Sequence, residues 1–231
     1  MGIRSSRIVL AAALSGAVVW LAGPGASLAG AAGPGGGACQ LQGVASISPS
    51  LTVASGAFAY SFTGSLSSCQ SNVAGAPTMG TVSAGIQLPE TVTLTNTSTG
   101  ATTTGTVLYQ EPVPQGTGSC GNSTTAGQAL AVWGDGNSTV IAFDTTGALA
   151  AVQLQGAVVA SMTLALVPSS VPAGYTAPST YTINSNEPAF SVGQQSLAVL
   201  TFSPSTPDQD CVRIGVSSAN IDGVVGIGSA S

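Results

Sequence analysis

"VQLQGAVVASMTLAL", residues 152–166, sets Val152, Leu154, Val158, Ala160, Met162, Leu164 and Leu166 on one parity and Gln153, Gln155, Ser161 and Thr163 on the other. A strand turns successive side chains to opposite faces, so this alternation buries one face and wets the other. A helix needs a period near 3.6, and no stretch beyond the N-terminal leader shows one. Gly156 interrupts the packed parity and is expected to mark a bulge or bend.

A second strand reads the same way. "FAYSFTGSLSSC", residues 58–69, places Phe58, Tyr60, Phe62 and Leu66 on one face, in a chain of 231 residues with only five Phe, four Tyr and two Trp. That concentration marks the inward face of a core strand. Similar signals recur about every ten residues between clusters of Gly, Pro, Asn and Ser, the spacing of sandwiches and barrels. The expected fold is all-β: an antiparallel β-sandwich or flattened barrel of about 10–13 strands. "VWGDGNSTVIAF" predicts a tight primed hairpin at Asp135 and Gly136, and "NIDGVV" another at Asp222 and Gly223. In "ETVTLTNT", Thr91, Thr93, Thr95 and Thr97 form a threonine row, read as one half-exposed strand without matching neighbours rather than an ice-binding plane. Three Pro-rich connections cover 110–126, 168–188 and 203–210; the middle one has the length of a functional or mobile loop.

Arg4 and Arg7 precede an apolar run from Ile8 to Ala22, followed by small residues up to Ala29 and Ala31. This order predicts a signal peptide over 1–31, cleaved on export, and its apolar run is too short to span a bilayer. A Gly-rich linker is expected over 32–38 and a single domain over 39–231, the alternative being two small sandwiches dividing near 115. The product is expected to be secreted, extracellular and off the membrane after cleavage.

Past the leader, Arg213 stands alone against eight carboxylates. Nucleic acid and anionic lipid both demand several Lys or Arg, so neither is an expected partner. The four cysteines, Cys39, Cys69, Cys120 and Cys211, predict two disulfides in an oxidising compartment; three pairings exist. Cys39 with Cys69 and Cys120 with Cys211 is preferred, because the first two flank a hairpin turning near "SPSLTVASG". Direct pairing of Cys39 and Cys69 would set Phe62 opposite Ser46, whereas facing parity favours Ile47; a one-residue bulge or a diagonal bridge reconciles the two.

The chain has no histidine, and both requirements of Ser-His-Asp and Cys-His catalysis fail with it. No lysine remains for Schiff-base chemistry, and no nucleotide loop or metal-ligand spacing is present, so no cofactor and no metal are expected. Asp135, Asp144 and Asp222 read as turn residues, and Asp208 with Asp210 as a solvated acidic loop. An aromatic-lined site is drawn from Trp133, Tyr109, Tyr175 and Tyr181, stacking on a sugar or small apolar molecule while Glu111 or Glu187 supplies polar contacts.

The layout "CQLQGVASISPSL", "FAYSFTGSLSSCQS" and the late "CVRIGVSSANIDGVVGIG", with the export signal and acidic Ala/Gly/Ser/Thr/Val-rich composition, resembles uncharacterised secreted β-rich proteins of actinobacteria over most of the chain. It shares composition and a two-disulfide sandwich with the enediyne-carrier apoproteins, whose domain is much shorter. The resemblance implies location and architecture and transfers no functional residue. The expected function is a secreted non-catalytic binding or cell-envelope interaction protein, with an unknown protein, carbohydrate or small-molecule partner. The alternative is a carrier of a small apolar or carbohydrate ligand, and the third reading is a carboxylate-based hydrolase, which needs two facing carboxyl groups.

Overall fold

The computed structural model describes residues 36–148 and 150–228. The leader over 1–31 and the first linker residues, 32–35, lie outside them. The end of the expected linker is already strand: Gly37 pairs with both Ser71 and Ile227. The strands are β1 (Gly37–Leu51), β2 (Gly56–Ser71), β3 (Gly80–Ala84), β4 (Gln87–Asn96), β5 (Thr102–Gln110), β6 (Gln115–Gly118) and β7 (Asn122–Trp133). They continue with β8 (Ser138–Ala148), β9 (Ala151–Val159), β10 (Ser161–Leu166), β11 (Tyr175–Thr176), β12 (Thr180–Asn184), β13 (Gln195–Pro204) and β14 (Val216–Ile227).

Eight strands close into a barrel in the order β1, β14, β13, β9, β8, β7, β3, β2, with β1 returning to pair β2. Closure satisfies both edges of every long stave, which an open sheet does not. The stave between β2 and β7 is split. Its one half is β3, against Phe62–Leu66 of β2; its other half is β6, against Gly56–Ala59. Gly116 of β6 leaves room for Phe58, whose ring would collide with any Cβ there.

Two excursions leave the barrel and build a second, five-stranded sheet in the order β11-β4-β5-β10-β12. One runs from β3 to β6, the other from β9 to β13. Their apolar face, including Leu94, Val107, Tyr109, Met162 and Leu164, packs on Leu130 and Val140, which point outward from β7 and β8. The staves on either side of residue 115 belong to one closed ring.

The alternation in 152–166 therefore serves two cores. Val152 and Leu154 face the barrel lumen, while Met162 and Leu164 face the space between barrel and outer sheet. The break falls at Ala160, not at Gly156. Gly156 sits in unbroken register between Phe143 and Ser196, where a Cβ would strike the Ala142 carbonyl, so glycine here allows close strand approach rather than a bend.

The bridges join Cys39 to Cys69 and Cys120 to Cys211. Beside the first, the β1–β2 register shifts by one residue at Ser68, which adopts φ +50°; Phe62 then faces Ala45, and Ile47 faces Tyr60. This is a one-residue bulge at the bridge itself, and it restores facing parity with Ala45, not the expected Ile47, opposite Phe62.

Three local expectations fail. Asp222 and Gly223 lie within β14, paired to β1 and β13 on both sides, so ladder pairing overrides their turn preference. At the β7–β8 hairpin Gly136 alone takes positive φ, and the Asp135 carboxylate instead accepts the Asn137 backbone N–H. Asp144, also read as a turn residue, lies within β8 opposite Ala126 and Gln155, whereas residues 211–214 do form a turn, where Asp210 accepts the N–H groups of Val212 and Arg213.

Candidate functional site

Along the staves, outward positions mix exposed polar residues such as Gln42, Ser46, Gln153, Gln155, Thr201 and Ser203 with exposed Val44, Leu197 and Val199, while inward positions are mostly apolar. The interior is not solid. A cavity of about 160 Å³ remains, with walls from Phe58, Phe62, Phe143, Leu154 and Leu200 among others and no charged side chain. The alternation that closes the barrel creates this lumen, because eight staves carry their large side chains inward without filling the centre.

Four polar groups stand out on the wall. Toward the end held by Cys120–Cys211, the Tyr60 hydroxyl lies 3.2 Å from Thr125 Oγ1, which lies 2.7 Å from Thr145 Oγ1. Burial pushes the Tyr60 pKa up to about 12, so the chain of hydroxyls stays neutral. The fourth is Ser196, fully buried on β13 toward the opposite end, whose Oγ has no hydrogen-bond partner.

That opposite end is plugged. Trp133 packs against Phe190 at 5.0 Å between ring centres and donates its indole N–H to Thr139 Oγ1 at 2.8 Å. Glu187, from the segment carrying Phe190, accepts the Ala189 N–H at 2.9 Å. Burial raises its pKa, and the neighbouring Asp135 charge raises it further. The Asp135 carboxyl is held below its ordinary value by the Asn137 N–H.

The residues drawn together from sequence do not form one site. Trp133 faces the lumen end, whereas Tyr109 faces the core between barrel and outer sheet; the two lie in separate cores. Tyr109 is fully buried and its hydroxyl donates to the Pro178 carbonyl. Tyr181 does meet Tyr109, with ring centres 5.5 Å apart, and Tyr175 packs at the margin of the same core on the edge strand β11. Glu111 is 1% exposed and spent on structure, accepting from Ser83 Oγ and the Ile86 N–H. Aromatic rings with long loops nearby signalled exposure, but those rings pack against apolar strands. The usable signal was subtler: in Ser196, Ala198, Leu200 and Phe202 one hydroxyl shares the apolar parity.

A second concavity, about 600 Å³, lies between the barrel's outer wall and the outer sheet. Thr63, Glu90, Ser138, Tyr181, Asn184 and Asn186 line it, and the Glu90 carboxylate near Tyr181 raises the pKa of its hydroxyl. On the outer sheet the threonine row has neighbours after all. Thr91, Thr93 and Thr95 sit opposite Thr106, Thr104 and Thr102, and Thr176 extends the last rung. The array is still short, and a strand-to-strand twist of roughly 20–25° keeps it from forming a plane.

Among the described residues no helix is long and apolar enough to cross a membrane, and no group of three or more Cys, Asp or Glu is placed to hold a metal ion. Comparison with known protein families, curated proteins and solved structures finds no match.

Proposed function

We propose that this chain is a secreted, non-catalytic binding protein that carries a small apolar molecule in its barrel lumen. One observation carries the reading: a closed eight-strand ring keeps about 160 Å³ free behind apolar walls. A void near this size in an Ile/Leu/Phe wall stays dry and accepts a benzene-sized guest. Burying such a guest gains about 25 cal/mol per Å² of apolar surface, while a filled core would gain stability instead. The two disulfides fit an oxidising compartment, and the N-terminal leader fits export.

Titration with toluene, followed by nuclear magnetic resonance, tests this. Saturable shifts at Phe58, Phe62 and Phe143, abolished by Val152→Phe, are expected. Linear, non-saturating shifts, or shifts indifferent to that substitution in a folded protein, would overturn the reading.

A carbohydrate in the second concavity is the competing reading, favoured by Tyr181, Glu90, Asn184 and Asn186 lying along one wall. A glycan array bound by the wild type and lost in Tyr181→Ala would support it; no binding to any glycan would remove it.

A further inference from the structure

Ser196 lies on the lumen wall among apolar neighbours. Its register partners are Gly156 on β9 and Ile227 on β14, and Ala198 follows it on the same face. Phe143, paired with Gly156, completes that part of the wall. The side chain is fully buried and its Oγ meets no donor or acceptor. A buried hydroxyl without a partner is destabilising, whereas alanine, used at position 198, would fit the same wall without that cost. The hydroxyls of Tyr60, Thr125 and Thr145, by contrast, bond one another.

A trapped water is a poor match for the position, since it needs two to four polar partners and these neighbours offer one. A charged guest is a poor match as well, because the lumen holds no counter-ion and an unpaired buried charge is strongly disfavoured. We infer that the lumen selects a neutral molecule about the size of a substituted benzene, with an apolar body and a single hydroxyl or carbonyl oxygen that hydrogen-bonds Ser196 Oγ. This rests on the lumen being the binding site, as proposed above.

Phenol and toluene differ by a hydroxyl in place of a methyl at nearly constant shape, so their affinity ratio isolates the contact from burial. Both are titrated into the wild type, Ser196→Ala and Ser196→Thr by calorimetry, with near-ultraviolet circular dichroism reporting that each variant is folded. In Ser196→Ala the phenol-to-toluene ratio is expected to fall about threefold to tenfold, with toluene held or tightened. Ser196→Thr, which keeps the hydroxyl, is expected to retain the wild-type ratio, and benzoate is expected not to bind. Toluene binding with a ratio unchanged in Ser196→Ala overturns the Ser196 contact and leaves the lumen as the site. Failure of both compounds to bind the wild type overturns the two together.

Discussion

Ser68 shows how a single residue sets the register of a barrel. It is exposed, yet it is the one non-glycine with positive φ among the described residues, and it supplies the extra residue that brings Cys69 opposite Cys39. A left-handed conformation costs an L-residue about 1–2 kcal/mol, and a β-branched side chain tolerates it worst. Ser68 already bears that cost, so Ser68→Val is expected to lower stability in urea only by the added strain of a β-branched side chain, ~1 kcal/mol or less. Ser68→Gly should raise it by about 0.5 kcal/mol, after glycine's unfolded-state entropy is subtracted. The buried acids make a second prediction at this scale. Burial raises the pKa of both Glu111 and Glu187 above 4.5, so the folded state holds their protons longer than the unfolded chain does. Stability must then fall as pH climbs from 4.5 through the raised values. Asp135 acts in the opposite sense, costing stability as pH drops below 3.8. The melting temperature of the wild type should decline from pH 4.5 toward neutrality, and Glu111→Gln should flatten that decline; an equal slope in both would contradict the assignment.

At the level of strands, the outer sheet depends on the barrel for its core. Leu164 is fully buried against Leu130 and Val140, which belong to the barrel. Leu164→Ala is expected to cost about 2–5 kcal/mol, read as a lower urea midpoint with an unchanged slope. Much of this layout was legible beforehand, because period-two alternation is a local signal: the strands at 58–69 and 152–166 faced the way their parity required. Length and partner were not legible. Two short strands, β6 and β11, lie in stretches dominated by Pro, Gly and Thr, and form because a neighbouring strand offers a free edge. Asp222 and Gly223 carried a turn signal that two flanking ladders overrode. The candidate site was less legible still. Parity shows that a residue points inward but not which of two interiors it enters, and Trp133 and Tyr109 went to different ones.

For the whole molecule, the bridges anchor opposite ends of the barrel and close chain loops of different span, 30 residues for Cys39–Cys69 and 91 for Cys120–Cys211. On the loop-closure model these contribute about 3.5 and about 4.5 kcal/mol. Replacing Cys120 and Cys211 together by serine should thus lower thermal stability more than replacing Cys39 and Cys69. A reversed order would show that native packing, rather than unfolded-chain entropy, governs their effect.

Insertion of β14 between β1 and β13 makes it the strand that covers both of their edges. Until β14 docks, β1 and β13 each present a raw edge. Any truncation before Val216 would leave those edges permanently open to pairing with a second copy, turning a sealed vessel into a seed for aggregation.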